Sequence, residues 1–577
     1  MDEQQAYREH VFPNIEDWPI YQLSEDRKAF VQEIVQFTLE RFLSKPTSEL
    51  TDIISKTIYL ERIRIKEEPW KVDPPNEAQF WRKVGKQLIG YSLDRTETEA
   101  AQTNEEILRK IITRYAEEIV GTFRIKTFLF ARKFLTLFFT RLLNAATRIY
   151  LGRKRKAQER LSNRMLVKGR VEEVRALMKK GIVVVVPTHF SNLDSILIGY
   201  AMDTFAGLPS FSYGAGLNLY NTGYTAYFMN RLGAYRVDRR KKNPIYLETL
   251  KAMSNLSIQR GVNSLFFPGG TRSRSGALES KLKLGLLGTA VEAQRALFEK
   301  GEQKKIFIVP LVLSYHFVLE APFLIEQHLR AIGKERYIKS KDDFYSLRKI
   351  LKFAWRFFAE SNDITLSFGQ PMDVLGNFVD ADGNSFDKSE RPVQLQEYFF
   401  TDGKVVKHLQ RESEYTRILA DEIAERYHID NIVLSSHLLA FAAFEVLKKE
   451  NSRLDLYGIL RLPEDEYVFP LETVKEVVYQ LREKLFVLKD QEKIQLSDQI
   501  YWDLDDLIQH GIKRLGSYHL DSPLRFNKKG ELVSDSFKIL YFYHNRMDNY
   551  GLASAIEWKQ VPQAQQRWSE WPEMTAG

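Results

Sequence analysis

With 577 residues, a formal charge of +8 and 44% hydrophobic content, the chain is too long for one hydrophobic core and too apolar to be disordered, so three or four packed units are expected. The lack of any cysteine excludes disulfides, thiolate nucleophiles and cysteine-ligated metal centres, and fits a reducing cytosolic setting. The opening MDEQQAYREH is acidic and polar where a signal peptide would be basic and then apolar, so export is not expected, and no run of about 18 apolar residues offers an ordinary spanning helix.

Residues 1–120 read as a helical N-terminal region, with apolar residues at three- and four-residue spacing in FVQEIVQFTLERFL and NEEILRKIITRYAEEIV. Residues 121–156 change character. FRIKTFLFARKFLTLFFTRLLNAATRIYLGRKRK carries only basic charges, and Lys126, Lys133, Arg141, Arg148 and Arg155 recur every seven or eight residues, forming a basic seam beside an apolar face. Ending in Arg153-Lys154-Arg155-Lys156, this pattern predicts an amphipathic helix lying on an anionic membrane surface; a core helix with a solvated basic edge is the alternative.

Across residues 157–375, helix-like stretches alternate with the apolar runs Ile182–Val186, Ser264–Phe267, Ile306–Leu313 and Ile364–Phe368. The alternation predicts an α/β domain whose central, mostly parallel sheet is flanked by helices. Residues 376–404 are polar and turn-rich and are expected to form a loop or linker. Their Asp380, Asp382 and Asp387 are spaced around a glycine at the fourth position instead of the sixth that an EF-hand loop requires, which favours an Asp-Gly turn. Helical patterning returns in residues 405–577, read as a helical C-terminal domain.

Chemistry concentrates where the strands end. Ile182 to Val186 is five consecutive β-branched residues, a strand buried on both faces, and it delivers His189 and, after a turn, Asp194 to its carboxyl end. The two meet only if Asp194 reaches back from the first turn of a helix, with Ser191 or Asn192 as its N-cap. A carboxylate on one ring nitrogen would make the other a general base; a structural polar pair at a helix start is the bland alternative. The second cluster, PGGTRSRSG, follows the apolar run Ser264–Phe267. Gly270, Thr271, Arg272, Ser273 and Arg274, with Lys283 beyond, combine backbone N–H groups, hydroxyls and cations suited to an anion, against the alternative of a solvated basic turn. Between the clusters, GAYRVDRR could bring Arg239 to the same crevice. In IVPLV, Val309 and Pro310 read as a central strand with its proline at a bulge or beside a ligand's apolar tail.

In this order THFSNLD, GAYRVDR, FPGGTRS and IVPLV resemble the four blocks of the glycerolipid acyltransferases: H-x4-D, G-x-x-x-x-x-R, F-P-E-G-T-R-S and an apolar V-P block. Ala215-Gly216-Leu217-Asn218-Leu219, RSRSG with Lys283 and Gly285, VPLVLSYHFVLEA and LYFYHNRMDNYGL look like the long bacterial and mitochondrial glycerol-3-phosphate acyltransferases, over roughly Phe123 to Leu552. The resemblance implies transfer of a fatty acyl group from acyl-CoA or acyl carrier protein to the sn-1 hydroxyl of glycerol 3-phosphate, with no bound cofactor and no metal. It implies His189 as base, Asp194 as its orienting partner, the phosphate held by Arg239, Arg272, Arg274 and Lys283 with the Gly270–Ser273 loop, and peripheral attachment to the cytoplasmic face of the inner or cell membrane. The alternatives are 1-acylglycerol 3-phosphate as acceptor and a non-catalytic phospholipid binder; nucleic-acid binding is not expected. One departure stands out: Gly269 occupies the position of the block's glutamate, a Gly-Gly version also found in plastid-type members.

Overall fold

The computed structural model describes residues 8–559 apart from 71–72, 90–95, 146–163, 221–222, 334–362, 465 and 517–518. Its centre is a seven-stranded sheet of β1 (Met165–Gly169), β2 (Ile182–Pro187), β3 (Ser212–Gly216), β4 (Ala234–Val237), β5 (Ser264–Leu265), β6 (Ile306–Tyr315) and β7 (Ile364–Phe368), in the order β1-β7-β6-β2-β5-β3-β4. β6, β2, β5, β3 and β4 run parallel, whereas β7 is antiparallel to β6 and parallel to β1. The fold is therefore the mostly parallel α/β sheet that the alternating pattern predicts. All six residues of β2 and all ten of β6 are buried, as unbroken apolar composition requires of central strands covered on both faces.

The N-terminal region folds as α1 (Arg27–Leu43), α2 (Thr47–Glu67), α3 (Glu77–Ile89) and α4 (Glu97–Ile119). Their apolar stripes close a second core, which includes Ile245, Tyr246 and Met253 of a later helix. α5 (Ile125–Ala145) follows, with Leu129, Phe130, Phe134 and Leu137 exposed. Lys126 and Lys133 of the basic seam are exposed on the same helix, while the Arg141 side chain and residues Arg148, Arg153, Lys154, Arg155 and Lys156 lie outside the described residues. Among the described residues no helix is long and apolar enough to cross a membrane.

Helices α6 (Asp194–Thr204), α7 (Pro244–Gln259), α8 (Leu284–Glu299) and α9 (Ala321–Ile332) belong to the sheet region. Residues 376–404 form short pairings such as Phe378–Val379 with Ser385–Phe386. The turn between them is held by Asp380, whose carboxylate accepts from the backbone N–H groups of Asp382 and Asn384, with Gly383 at φ +85°. The C-terminal helices α10 (Leu409–Ile429), α11 (Ser435–Glu450), α12 (Leu471–Asp490), α13 (Leu504–Arg514) and α14 (Phe537–His544) share one continuous core with the sheet.

Parallel strands place all their carboxyl ends along one edge. The segments that follow β2, β5 and β4, which carry His189, the PGGTRSRSG loop and Arg239, therefore leave the sheet on the same side.

Candidate active site

After β2 the chain turns once and enters α6 with Asp194 as its first residue. Asp194 is fully buried, and its Oδ2 accepts from the backbone N–H of Phe190 at 2.7 Å and of Ser191 at 2.9 Å while lying 2.8 Å from His189 Nδ1. Tyr315, the last residue of β6, donates its hydroxyl to Asp194 Oδ1 at 2.5 Å. The carboxylate is thus fixed on both oxygens, and the imidazole is oriented by it, as the spacing of the two residues predicts.

The N-cap differs from expectation. Leu193 occupies that position without a side-chain cap, while the Ser191 hydroxyl and the Asn192 backbone N–H are engaged by other groups. Ser191 Oγ donates to Glu320 at 3.0 Å and accepts from Leu193 N–H at 3.2 Å, and Asn192 N–H donates to Glu320 at 2.9 Å. The backbone N–H groups of Phe190, Ser191 and Asn192 are satisfied by two buried carboxylates, Asp194 and Glu320, and that of Leu193 by the Ser191 hydroxyl.

The His189 ring stacks on Phe267 with 4.1 Å between centroids and 24° between planes. Its Nε2 has no partner among the described residues, and the side chain keeps 15% of its surface exposed. A histidine bonded to a carboxylate through one nitrogen and open at the other is equipped to take a proton from a substrate hydroxyl.

The PGGTRSRSG loop is tied directly to this turn: Ser273 N–H donates to the His189 carbonyl at 2.7 Å. Gly270 adopts φ +76°, and a Cβ there would come within 2.8 Å of Lys283 Cε and Nζ, so the glycine lets the lysine lie across the loop. Arg272 pairs with Glu320 at 3.4 Å. Arg239 is exposed, and partial desolvation together with the neighbouring Arg272 guanidinium lowers its pKa. Arg272 is thus partly neutralised by Glu320, while the neighbouring Arg239 guanidinium adds a second positive charge at this edge. The next residue, Arg240, is instead consumed by Asp238 at 2.7 Å and by Asp73.

Arg274 is exposed and close to His328 of α9, whose pKa is lowered by burial and by that guanidinium. Ser273 Oγ donates to the Ala277 carbonyl at 2.7 Å, inside the loop, and Thr271 is half-buried beside it. Val309 and Pro310 lie in the sheet core. Leu311 pairs with Phe368 and Ile308 with Met372, so Gly369, Gln370 and Pro371 face only Val309 and Pro310, a bulge beside a proline that cannot donate to the ladder.

Four contributors have no distinctive pattern in the sequence. Tyr315 closes β6 and Glu320 follows it, Glu279 accepts from His189 N–H at 3.1 Å, and Arg546 stacks 4.4 Å over Phe190 while donating to the Leu313 carbonyl at 2.7 Å. Burial brings the Arg546 pKa down to about 10 and raises that of Glu279 to about 7. Tyr315 and Glu320 lie within VPLVLSYHFVLEA and Arg546 within LYFYHNRMDNYGL, so of the four only Glu279 falls outside the segments that carry the resemblance.

The family described as Acyltransferase matches residues 167–314, the stretch from β1 through β6 that carries both clusters. The chain contains an acyltransferase domain. Similar proteins include the glycerol-3-phosphate acyltransferase of Aeromonas hydrophila, 29% identical over 36% of this chain and 24% of that protein. The Pseudoalteromonas atlantica enzyme of the same name is 27% identical over 37% of this chain and 24% of its own length, and that of Pseudomonas paraeruginosa is 25% identical over 49% and 30%. The homology is distant, and the acyltransferase domain with its surroundings spans less than a third of the length of these relatives.

Proposed function

We propose that this protein transfers a fatty acyl group from a thioester donor, acyl-CoA or acyl carrier protein, to the sn-1 hydroxyl of glycerol 3-phosphate, forming lysophosphatidic acid at the entry to phospholipid synthesis. The observation that carries the proposal is the His189–Asp194 pair tied by the His189 carbonyl to an arginine- and glycine-rich loop. His189 Nε2 takes the proton of the acceptor hydroxyl as its oxygen attacks the thioester carbonyl. Asp194 orients the ring and stabilises the imidazolium that forms. The carbon–sulfur bond then breaks, and the thiolate leaves as thiol with the proton returned by His189, so no covalent enzyme intermediate and no metal or bound cofactor is needed. Arg239, Arg272 and Lys283, with the N–H groups of Thr271 and Arg272 and with Arg274 at the rim, hold the phosphate and thereby fix the hydroxyl at the base.

The same reading includes peripheral attachment to the cytoplasmic face of an anionic membrane through α5, supported by its exposed Leu129, Phe130, Phe134 and Leu137 beside Lys126 and Lys133. Both products and donors of the reaction carry long apolar chains, so a surface seat would shorten their path.

The test is a two-by-two assay of the purified protein, with glycerol 3-phosphate or 1-acylglycerol 3-phosphate as acceptor and acyl-CoA or acyl carrier protein as donor. Lysophosphatidic acid from the first acceptor supports the proposal. Turnover confined to the second would reassign the acceptor, and none with any pair would leave a phospholipid binder.

A further inference from the structure

Gly269 differs from its neighbour in one respect: it does not have a positive φ, so nothing in the backbone demands a glycine there. What crowds a side chain there is Glu279. A Cβ built on Gly269 would meet Glu279 Cγ at 3.1 Å and Oε1 at 3.2 Å. The carboxyl arm of Glu279 thus fills the space that a residue at position 269 would enter, arriving from ten residues further along the chain. There Oε1 accepts the His189 backbone N–H at 3.1 Å, and Oε2 is buried without a hydrogen-bond partner.

We infer that Glu279 is a positioning residue of the site, supplying from the far end of the anion loop the carboxyl group that the F-P-E-G-T-R-S block carries at the position of Gly269. The inference deepens the acyl-transfer reading and rests on it for its kinetic consequence. Three observations on different atoms support it. The space over Gly269 is taken by the Glu279 side chain and not by backbone or an apolar residue. The bond to His189 N–H sets the chain just before the catalytic ring. The loop between Gly269 and Glu279 is closed on itself by Ser273 Oγ to the Ala277 carbonyl at 2.7 Å and on His189 by Ser273 N–H, so moving the carboxylate moves both halves of the site. A carboxyl oxygen buried without a partner is costly, and a purely structural role would be met better by a hydrocarbon.

The groups facing Glu279 are His189 and Asp194 from the turn after β2, Arg546 from the C-terminal segment and Tyr427 from α10. Its oxygen reaches the catalytic residue through the His189 backbone N–H.

The test uses the full chain with Glu279→Ala, Glu279→Gln and the double variant Glu279→Ala/Gly269→Glu, which relocates the carboxylate. Two readouts are taken: kcat and KM for acyl transfer, and the rate of His189 carbethoxylation by diethyl pyrocarbonate at one fixed pH, followed by peptide mass spectrometry. Glu279→Ala should lower kcat about tenfold to a hundredfold with KM changed less than about threefold, and should change the carbethoxylation rate at least about threefold as the ring loses its fixed position. The double variant should recover most of both. Glu279→Gln keeps the shape and the acceptor for His189 N–H and should stay within about threefold of the wild type in both readouts, which covers the case that the alanine variant does not fold. A Glu279→Gln variant far from the wild type in both, or a double variant no better than Glu279→Ala, overturns the inference. Absence of transfer to glycerol 3-phosphate by the wild-type protein would sink the acyl-transfer proposal instead, and the carbethoxylation rates would still decide the role of Glu279.

Discussion

Tyr315 donates to Asp194 across 2.5 Å from the carboxyl end of the strand that also carries Val309 and Pro310. The apolar V-P block and the H-x4-D block, 121 residues apart at this contact, are therefore one piece of machinery: β6 buttresses the carboxylate that orients His189. Burial and the adjacent Asp194 push the Tyr315 pKa well above its ordinary value, so the phenol stays a donor throughout the working pH range.

Tyr315→Phe keeps the ring and removes only that donor. Leaving one buried oxygen of Asp194 unsatisfied should cost about 1–3 kcal/mol of stability, read as a lower denaturant midpoint, and kcat should fall roughly tenfold as Asp194 loses its fixed orientation. Full activity in this variant would mean that the backbone bonds from Phe190 and Ser191 suffice.

His189→Ala should lower acyl transfer at least about a thousandfold, since both the base and the later acid disappear. Flotation with anionic vesicles should be unchanged, because α5 is separate from the turn after β2. Recovery equal on neutral and anionic vesicles would remove the basic seam from the account.

Arg239→Ala should raise KM for glycerol 3-phosphate at least about tenfold with a smaller effect on KM for the donor, consistent with loss of a charge-assisted bond of about 1.5–3 kcal/mol. Arg239→Lys should recover only part of it, since one ammonium cannot grip two phosphate oxygens at once. Equal KM changes for both substrates would place Arg239 outside the phosphate site.

The pH dependence of stability should carry the mark of Glu279. Burial raises its pKa from 4.5 to about 7 in the folded protein. A folded-state value above the unfolded one means the folded chain holds the extra proton between those limits, so the contribution is complete below about pH 4.5 and is lost as pH rises through 7. Glu279→Gln has nothing to titrate. Its unfolding midpoint should match that of the wild type near pH 5 and exceed it at pH 8, by an amount of the order of 1–3 kcal/mol. A gap that widens toward acid would reverse the assignment.

Gly276 sits at φ +88°, and a Cβ there would approach the Phe542 carbonyl to 2.1 Å. Gly276→Ala should therefore destabilise the protein by at least about 2 kcal/mol and impair transfer as well, because α14 braces the anion loop here, with Asn545 donating to the Ser275 carbonyl at 3.0 Å. The thermal midpoint and kcat of one preparation check both.

Much of the site was legible because local chemistry announced it. Five β-branched residues running into a proline cannot be other than a buried strand end, and a histidine and an aspartate just beyond it are available for each other only through one kind of turn. The glycine-arginine loop likewise declared an anion by its composition. The misassigned N-cap shows the limit: Ser191 and Asn192 have good capping side chains, but Glu320, 129 residues from Ser191, takes the Ser191 hydroxyl and the Asn192 backbone N–H.

By itself the sequence determined the alternation that makes an α/β sheet, the pairing of His189 with Asp194 and the cationic loop, since each depends on residues near one another along the chain. Only the tertiary structure decided which distant groups complete them: Tyr315 and Glu320 beneath the turn, Arg546 over Phe190, and Glu279 in the space above Gly269. The reason is the parallel sheet, which carries the ends of strands remote in sequence to one edge and encloses their carboxylates there, so that burial and partners are properties of the edge and not of any one segment.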